Sequence, residues 1–205
     1  MPPSPAHVLL TVEESLLPAF CVLTGTGFAV RVAHGGSLRE LLCGRLGIDP
    51  DYLRDRIQTM FLNGRAVADP DTAVVAAGST IALSAAMPGI AGAMLRKGRF
   101  RALARSRPSR SMPDSRPASN DEGDVVVKLF NLLQQEIGGE LLAQGIRIPG
   151  RAFGDLLHRR PESLRSGVLA AEVDGRPVDP QVLFDTDWTR GDVLIGVHAS
   201  PQATS

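Results

Sequence analysis

The segment Asn63-Gly-Arg-Ala-Val67 has a close counterpart in Asp174-Gly-Arg-Pro-Val178, and each is followed by an Asp-Pro pair, at positions 69 and 70 or 179 and 180. Asn-Gly and Asp-Gly between apolar flanks are strong signals for a tight β-hairpin, because both central residues of that turn need a positive φ. The motif therefore predicts the same strand-turn-strand unit at two places in the chain.

Further matching segments flank this motif in the same order on both sides. They are Leu9–Val12 with Val125–Lys128, Gly27–Val30 with Gly145–Ile148, Ser37–Leu42 with Ala152–Leu157, and Gly78–Leu83 with Gly191–Gly196. Self-similarity of this kind indicates two diverged copies of one unit, at residues 6–92 and 124–200. Each copy has the pattern strand, strand, helix, strand-turn, strand. This order predicts an α+β fold in which a mixed sheet carries one packed helix.

The helix of the first copy has recognisable start and stop signals. Ser37 and Glu40 have the spacing of a capping box, and Gly47 is a suitable stop. Between them, apolar residues recur at the spacing of one helical face, at Leu38, Leu41, Leu42 and Leu46. We expect Leu41 and Leu42 to correspond to Leu156 and Leu157 of the second copy.

Residues 93–123 form an Arg/Pro/Ser-rich segment between the two copies, which we expect to be a disordered basic linker. The chain has no net charge, yet residues 96–116 carry eight basic residues and one acidic residue, so the rest is net acidic. A solvated tether is the favoured interpretation, with an anionic membrane or nucleic acid as alternatives. Trp188 and Tyr52 are the only residues of their types, which leaves little aromatic surface for stacking on bases. The candidate contacts to an anionic partner are Arg96, Lys97, Arg99 and Arg101.

The composition of the 205-residue chain is that of a globular protein, with 43% apolar residues. No apolar run reaches the length of about 18 residues that a membrane span needs, and we expect a cytoplasmic location. Cys21 and Cys43 are the only cysteines and are expected to be reduced.

Motifs for catalysis or cofactor binding are weak. Cys21, His34 and Cys43 lie in one copy, but they lack the close spacing of metal ligands. The Gly35-Gly36-Ser37 stretch before the first helix has the composition of an anion-binding loop, but a strand-to-helix turn explains it as well. We therefore predict no enzymatic activity, no metal site and no cofactor.

Three runs resemble the small sulfur-carrier proteins of the MoaD/ThiS type: Phe28–Leu42, Phe61–Val67 and Gly78–Gly92, with counterparts at Ile146–Leu157, Val173–Val178 and Gly191–Val197. The resemblance implies two ubiquitin-like (β-grasp) domains. Carriers of that type end in a free Gly-Gly tail, which an E1-like enzyme adenylates and converts to a thiocarboxylate. Here the first copy continues past Gly89 and Gly92 without a Gly-Gly pair, and the second copy ends without glycine.

The leading functional hypothesis is accordingly a protein-interaction or adaptor module built on tandem MoaD/ThiS-like domains. Its partner would be a protein, such as an E1-like or cofactor-biosynthesis enzyme, and its predicted contact surface is Met87, Pro88, Gly89, Ile90 and Gly92. The alternative is a divergent sulfur carrier in molybdenum or tungsten cofactor, thiamine or cysteine biosynthesis, activated after processing. The third hypothesis is nucleic-acid binding through the basic linker.

Overall fold

The computed structural model describes residues 4–32, 35–85, 122–159 and 161–200. Within them the chain is of the mixed α+β class, with both parallel and antiparallel strand pairs. The fold class predicted from the sequence is confirmed at this level. The chain divides into two compact units, Met1–Ala29 with Gln134–Ser205 (unit 1) and Val30–Leu133 (unit 2).

The strands in the described residues are β1 (Ala6–Glu13), β2 (Phe28–Val32), β3 (Thr59–Leu62), β4 (Arg65–Ala66), β5 (Thr80–Ser84), β6 (Gly123–Phe130), β7 (Ile146–Pro149), β8 (Val168–Val173), β9 (Arg176–Val178) and β10 (Asp192–Ser200). The helices there are α1 (Leu17–Cys21), α2 (Leu23–Thr26), the π-helical α3 (Glu40–Arg45), α4 (Pro50–Asp55), α5 (Leu132–Glu136), α6 (Gly138–Gln144), α7 (Gly150–Arg159), α8 (Pro161–Gly167) and α9 (Gln181–Asp185). A 3-10 turn, Glu14–Leu16, precedes α1.

Unit 1 has its strands in the order β7-β10-β1-β8-β9. β1 is parallel to β10 and antiparallel to β8, and β10 is antiparallel to β7. Alternate residues of β1, Val8, Leu10 and Val12, are fully buried, as a half-buried strand requires. β1 is therefore an internal strand of this unit, hydrogen-bonded along both edges.

Helix α7 supplies much of the core of unit 1 from its apolar face. Phe153 and Leu157 are fully buried and Leu156 nearly so. The Phe153 ring meets Trp188 edge-on, with 5.1 Å between ring centroids and an interplanar angle of 67°. The Trp188 indole N–H donates to the Leu183 carbonyl oxygen at 2.8 Å, so this buried polar group is satisfied.

Unit 2 has its strands in the order β4-β3-β5-β6-β2. β5 is parallel to β6 and antiparallel to β3, with Leu83 opposite both Leu129 and Met60. These apolar residues form one buried face of the strands, together with Ile81 and Val127.

The predicted start and stop of the first helix are confirmed in unit 2. The Ser37 N–H donates to Glu40 Oε2 at 2.8 Å, and the Glu40 N–H donates to Ser37 Oγ at 3.2 Å, which is a reciprocal capping box. Gly47 has φ +68°, as a helix stop requires. The body of the helix differs from the expected α-helix, because Leu46 N–H bonds to the Leu41 carbonyl in an i→i+5 arrangement at 3.1 Å. The wider π-turn still buries all four predicted leucines.

The two predicted hairpin turns have the same backbone geometry. Asn63 and Gly64 have φ values of +51° and +74°, and Asp174 and Gly175 have +51° and +73°. Both turns join paired strands, β3 with β4 and β8 with β9. The turn prediction from the sequence is thus confirmed at both places.

The boundaries of the compact units differ from the predicted domains 6–92 and 124–200. The first strand of each sequence copy lies in the unit that holds the other copy's later strands. β1 pairs with β8 and β10 in unit 1, and β6 pairs with β5 in unit 2. Both first strands have alternating buried residues, so either suits a position beside a parallel last strand. The apolar pattern specifies the buried face and leaves the choice of partner to tertiary packing.

Candidate groove on unit 1

A groove of about 970 Å³ lies within unit 1, between the helices that follow β1 and the helices α7 and α8. One wall comes from the N-terminal segment of the unit and the other from its C-terminal segment. The lining residues are Glu13, Ser15, Leu16, Pro18, Ala19, Val22, Leu23, Thr26, Pro149, Arg151, Ala152, Asp155, Leu156, Arg159, Ser163, Leu164 and Ser166.

Apolar side chains form the inner surface of the groove. Leu156 and Leu164 are buried, Leu16 is half-buried, and the Val22 side chain on the other wall is 46% exposed. Leu16 packs directly on Gly167, where an added Cβ would come within 2.8 Å of Leu16 Cδ2. Val22 thus extends the apolar lining of the groove to the protein surface.

Charged side chains lie along one rim of the groove. Arg151, Asp155 and Arg159 are four residues apart on α7, so they project from one face of that helix with alternating sign. All three are exposed, and Glu13 adds an acid at the end of β1. The groove therefore combines an apolar interior with an ordered set of rim charges.

The serines of the groove are engaged locally. Ser166 Oγ donates to the carbonyl oxygens of Glu162 and Ser163, each at 3.2 Å, and Ser15 Oγ donates to Glu13 Oε2 at 3.4 Å. His158 bonds through Nδ1 to the Gly154 carbonyl at 2.7 Å. None of these contacts joins a serine hydroxyl to His158, which is the pairing that a serine nucleophile commonly uses.

Burial affects the thiols of both cysteines. Burial raises the pKa of the Cys21 thiol. Desolvation also raises the pKa of Cys43, which the charge and hydrogen bond of Arg39 partly offset. A raised pKa favours the protonated thiol, which is a poorer nucleophile and metal ligand than the thiolate. Among the residues that the structure describes, no group of three His, Cys, Asp or Glu side chains could hold a metal ion. His34, the third candidate ligand, lies outside them.

A smaller groove, of about 360 Å³, lies within unit 2 beside Gly36 and Ser37. The Glu40 carboxylate already accepts the Ser37 N–H, and Glu122 accepts from Arg31 Nε at 3.3 Å. Glu40 and Glu122 share this lining with Arg31 and Arg45, so its charge is mixed, and Ser37 and Glu40 are used in capping the helix. This geometry favours the strand-to-helix turn over the anion-binding loop considered from the sequence.

The residues predicted as contact sites lie outside the described part of the chain. This applies to Met87, Pro88, Gly89, Ile90 and Gly92, and equally to Arg96, Lys97, Arg99 and Arg101 of the basic segment. The sequence analysis missed the groove of unit 1. A signal was present, since the stretch between β1 and β2 is too long for a tight hairpin, and that stretch forms α1 and α2.

No protein-family model, curated protein or solved structure matches the chain. None of the helices in the described ranges combines the length and the apolar character needed to cross a bilayer.

Proposed function

We propose that the chain is a non-enzymatic adaptor that binds a helical segment of a partner protein in the groove of unit 1. The single observation that carries this proposal is the groove itself, with its apolar interior, exposed Val22 and rim of alternating charges. Binding of an amphipathic helix in an apolar groove is a recurring mode of protein recognition.

The walls of the groove indicate a helical ligand more specifically than its size does. Its volume, about 970 Å³, is at the upper end of the range of roughly 300–1,000 Å³ that small-molecule pockets occupy. The walls are two sets of helices, and side chains from a third helix can pack between them in the usual way.

The rim charges indicate the chemistry of the partner. Arg151, Asp155 and Arg159 present positive, negative and positive charge at successive turns of α7. A partner helix with acidic, basic and acidic residues at the same spacing would match them, beside an apolar stripe facing Leu16 and Val22. Rim charges of this kind contribute to orientation and association rate more than to affinity.

The sheet edges support binding by strand addition less well. β4 has two residues, and β9 has three, of which Pro177 has no N–H to donate. Short edges and edge prolines are the features that protect natural sheets from pairing with other chains. A partner that added a strand at β4 or β9 would gain few main-chain hydrogen bonds.

The MoaD/ThiS resemblance stays part of the proposal as a statement about ancestry of the fold. We infer that each unit is a β-grasp-like arrangement, supported by a central parallel strand pair with antiparallel strands outside it. Sulfur-carrier chemistry remains the alternative. It would depend on residues around Gly89 and Gly92, which lie outside the described part of the chain.

A matched pair of substitutions tests the adaptor function. Val22, in the groove, and Val182, on α9 outside it, are 46% and 45% exposed. A photo-reactive amino acid at position 22 should crosslink one host protein that position 182 does not. With that partner purified, Val22→Asp should weaken binding at least about tenfold, since a charge facing an apolar contact costs more than 1.4 kcal/mol.

Val182→Asp should leave the affinity unchanged, and both variants should keep the parent's melting temperature. Equal crosslinking at both positions, or unchanged affinity of Val22→Asp, would exclude the groove as the binding site. Incubation with an E1-like enzyme and ATP, followed by intact mass measurement, tests the alternative. An adenylate or thiocarboxylate on the chain or a fragment would favour the carrier function.

A further inference from the structure

Unit 1 is built from two segments that are far apart in the sequence and meet along β1. β1 makes eight register pairs with β10 and five with β8, from residue 6 to residue 13. Its inward side chains, Val8, Leu10 and Val12, are fully buried. The C-terminal segment therefore cannot complete its sheet without an N-terminal segment.

The connection between these segments does not pass through unit 1. The chain leaves the unit after Ala29, forms all of unit 2 as one continuous stretch, and returns at Gln134. The contacts inside unit 1 are the same whether residues 134–205 belong to the same chain or to a second copy. The strands of unit 2 that follow β2 are unaffected in either case, because they all precede Asn131 in one continuous stretch.

The junction that would have to change direction is a single residue, Asn131, between β6 and α5. Asn131, just after β6, has φ +56°, a conformation that non-glycine residues rarely adopt. It is held by a hydrogen bond of 2.9 Å from its side-chain amide to Ser84 Oγ. On either side, the large apolar side chains of Phe130 and Leu132 are 42% and 46% exposed.

We propose that this chain forms a closed dimer by exchanging residues 132–205 with a second copy of itself, with the hinge at Asn131. An extended hinge lets Asn131 leave the left-handed conformation. Two hinges that run side by side would also cover Phe130 and Leu132. Reciprocal exchange closes on itself and gives two-fold symmetry, which is the usual form of domain swapping.

The exchange has a consequence for the groove of unit 1. One wall, Glu13–Thr26, would come from one copy and the other wall, Pro149–Ser166, from its partner. The dimer would carry two complete grooves on one particle and could bind a repeated partner with avidity. The dimer itself does not depend on what the groove binds.

Two substitutions of Asn131 should shift the equilibrium between monomer and exchanged dimer in opposite directions. Asn131→Val disfavours the left-handed turn of the monomer, whereas Asn131→Gly accepts it, and both lack the amide bond to Ser84. The difference is roughly tenfold per hinge, so the dimer association constant should differ by about a hundredfold between the two variants. Sedimentation equilibrium of the parent and both variants, each refolded at high and low concentration, measures this ratio.

A disulfide trap identifies exchange directly. Thr11 and Ala170 are opposite each other in the β1–β8 pair, so both are changed to cysteine. The native cysteines are removed by Cys21→Ala and Cys43→Ser, so that only the new pair can form a disulfide. The control pair is Glu172→Cys with Pro177→Cys, which face each other within one segment. In an exchanged dimer, oxidation should link two chains through the first pair, while the control closes within one chain.

Covalent dimers with the Thr11–Ala170 pair, more abundant in Asn131→Val than in Asn131→Gly, would support the exchange. The exchange would be overturned if the denaturing gel showed only monomers at every concentration, in the parent and in both variants. A dimer in sedimentation whose Thr11–Ala170 disulfides are all within one chain would also overturn it, because such copies associate without exchanging segments.

Discussion

Gly150, the first residue of α7, lies against the backbone of Trp188 so closely that a side chain at position 150 would collide with the Trp188 carbonyl oxygen. The Gly150 N–H also donates to the Gly191 carbonyl oxygen at 2.9 Å. The start of the main helix of unit 1 is thereby fixed to the loop before β10. This contact needs a glycine for space, since its φ is not in the left-handed region.

Gly150→Ala should therefore destabilise the protein by about 1–3 kcal/mol, as overpacking of a tight contact does. Gly154→Ala, one turn along the same helix, is the matched control, because its Cβ would meet Trp188 Cβ at an ordinary 3.5 Å. That change should be stabilising by about 0.5–1 kcal/mol, through lower backbone entropy in the unfolded state. Urea denaturation measures both, and a stable Gly150→Ala would contradict the close contact.

The first strand of each sequence copy lies in the unit that holds the other copy's later strands. This placement predicts which unit each first strand stabilises. Leu10→Ala in β1 should cost about 2–5 kcal/mol, and Leu129→Ala in β6 a similar amount, since both leucines are fully buried. Native-state hydrogen exchange should show faster exchange in β8 and β10 for Leu10→Ala, and faster exchange in β3 and β5 for Leu129→Ala. The reverse pattern would favour the domains 6–92 and 124–200 expected from the sequence.

The two hairpin turns should respond alike to loss of glycine. Gly64→Ala and Gly175→Ala each place a side chain at φ above +70°, and should destabilise by about 1–2 kcal/mol. Gly44→Ala, in the π-helical segment with no atom within 4 Å of its added Cβ, should be neutral or stabilising. Thermal unfolding of the three variants compares them, and an unaffected Gly175→Ala would argue against the shared turn geometry.

Cys21 should make stability depend on pH in the alkaline range. Burial raises the pKa of its thiol, so the folded protein keeps a proton that the unfolded chain loses above about pH 9. The free energy of unfolding should fall as the pH rises from there toward the folded-state pKa. Cys21→Ala should reduce that fall relative to the parent, in denaturant titrations at pH 8 and pH 10. An identical pH dependence in the two proteins would show that the thiol is not protected.

Local features of the fold could be predicted from short stretches of sequence. The capping box at Ser37 and Glu40 and the two Asx-Gly turns depend on backbone sterics and hydrogen bonds between neighbours. The amphipathic faces are also predictable, and the burial of Leu41 and Leu42 matches that of Leu156 and Leu157. Such features were expected correctly because their determinants lie within a few residues.

The groove was harder to predict because its walls are distant in sequence. Val22 and Leu156 line the same cavity, yet no motif links the segments that carry them. The long connection after β1 pointed to additional structure there, but its helices α1 and α2 are only five and four residues long. Their position depends on packing against the rest of unit 1 and not on helix propensity.

The sequence by itself determined the α+β class, the repeated strand-turn-strand motif and the face of each strand that is buried. These follow from side-chain period and turn chemistry, which act over a few residues. Only the tertiary structure decided that β1 lies between β8 and β10 and that β6 lies beside β5. The physical reason is that the first strands of the two copies present equivalent apolar alternation, so the choice between their sites rests on the packing of whole segments.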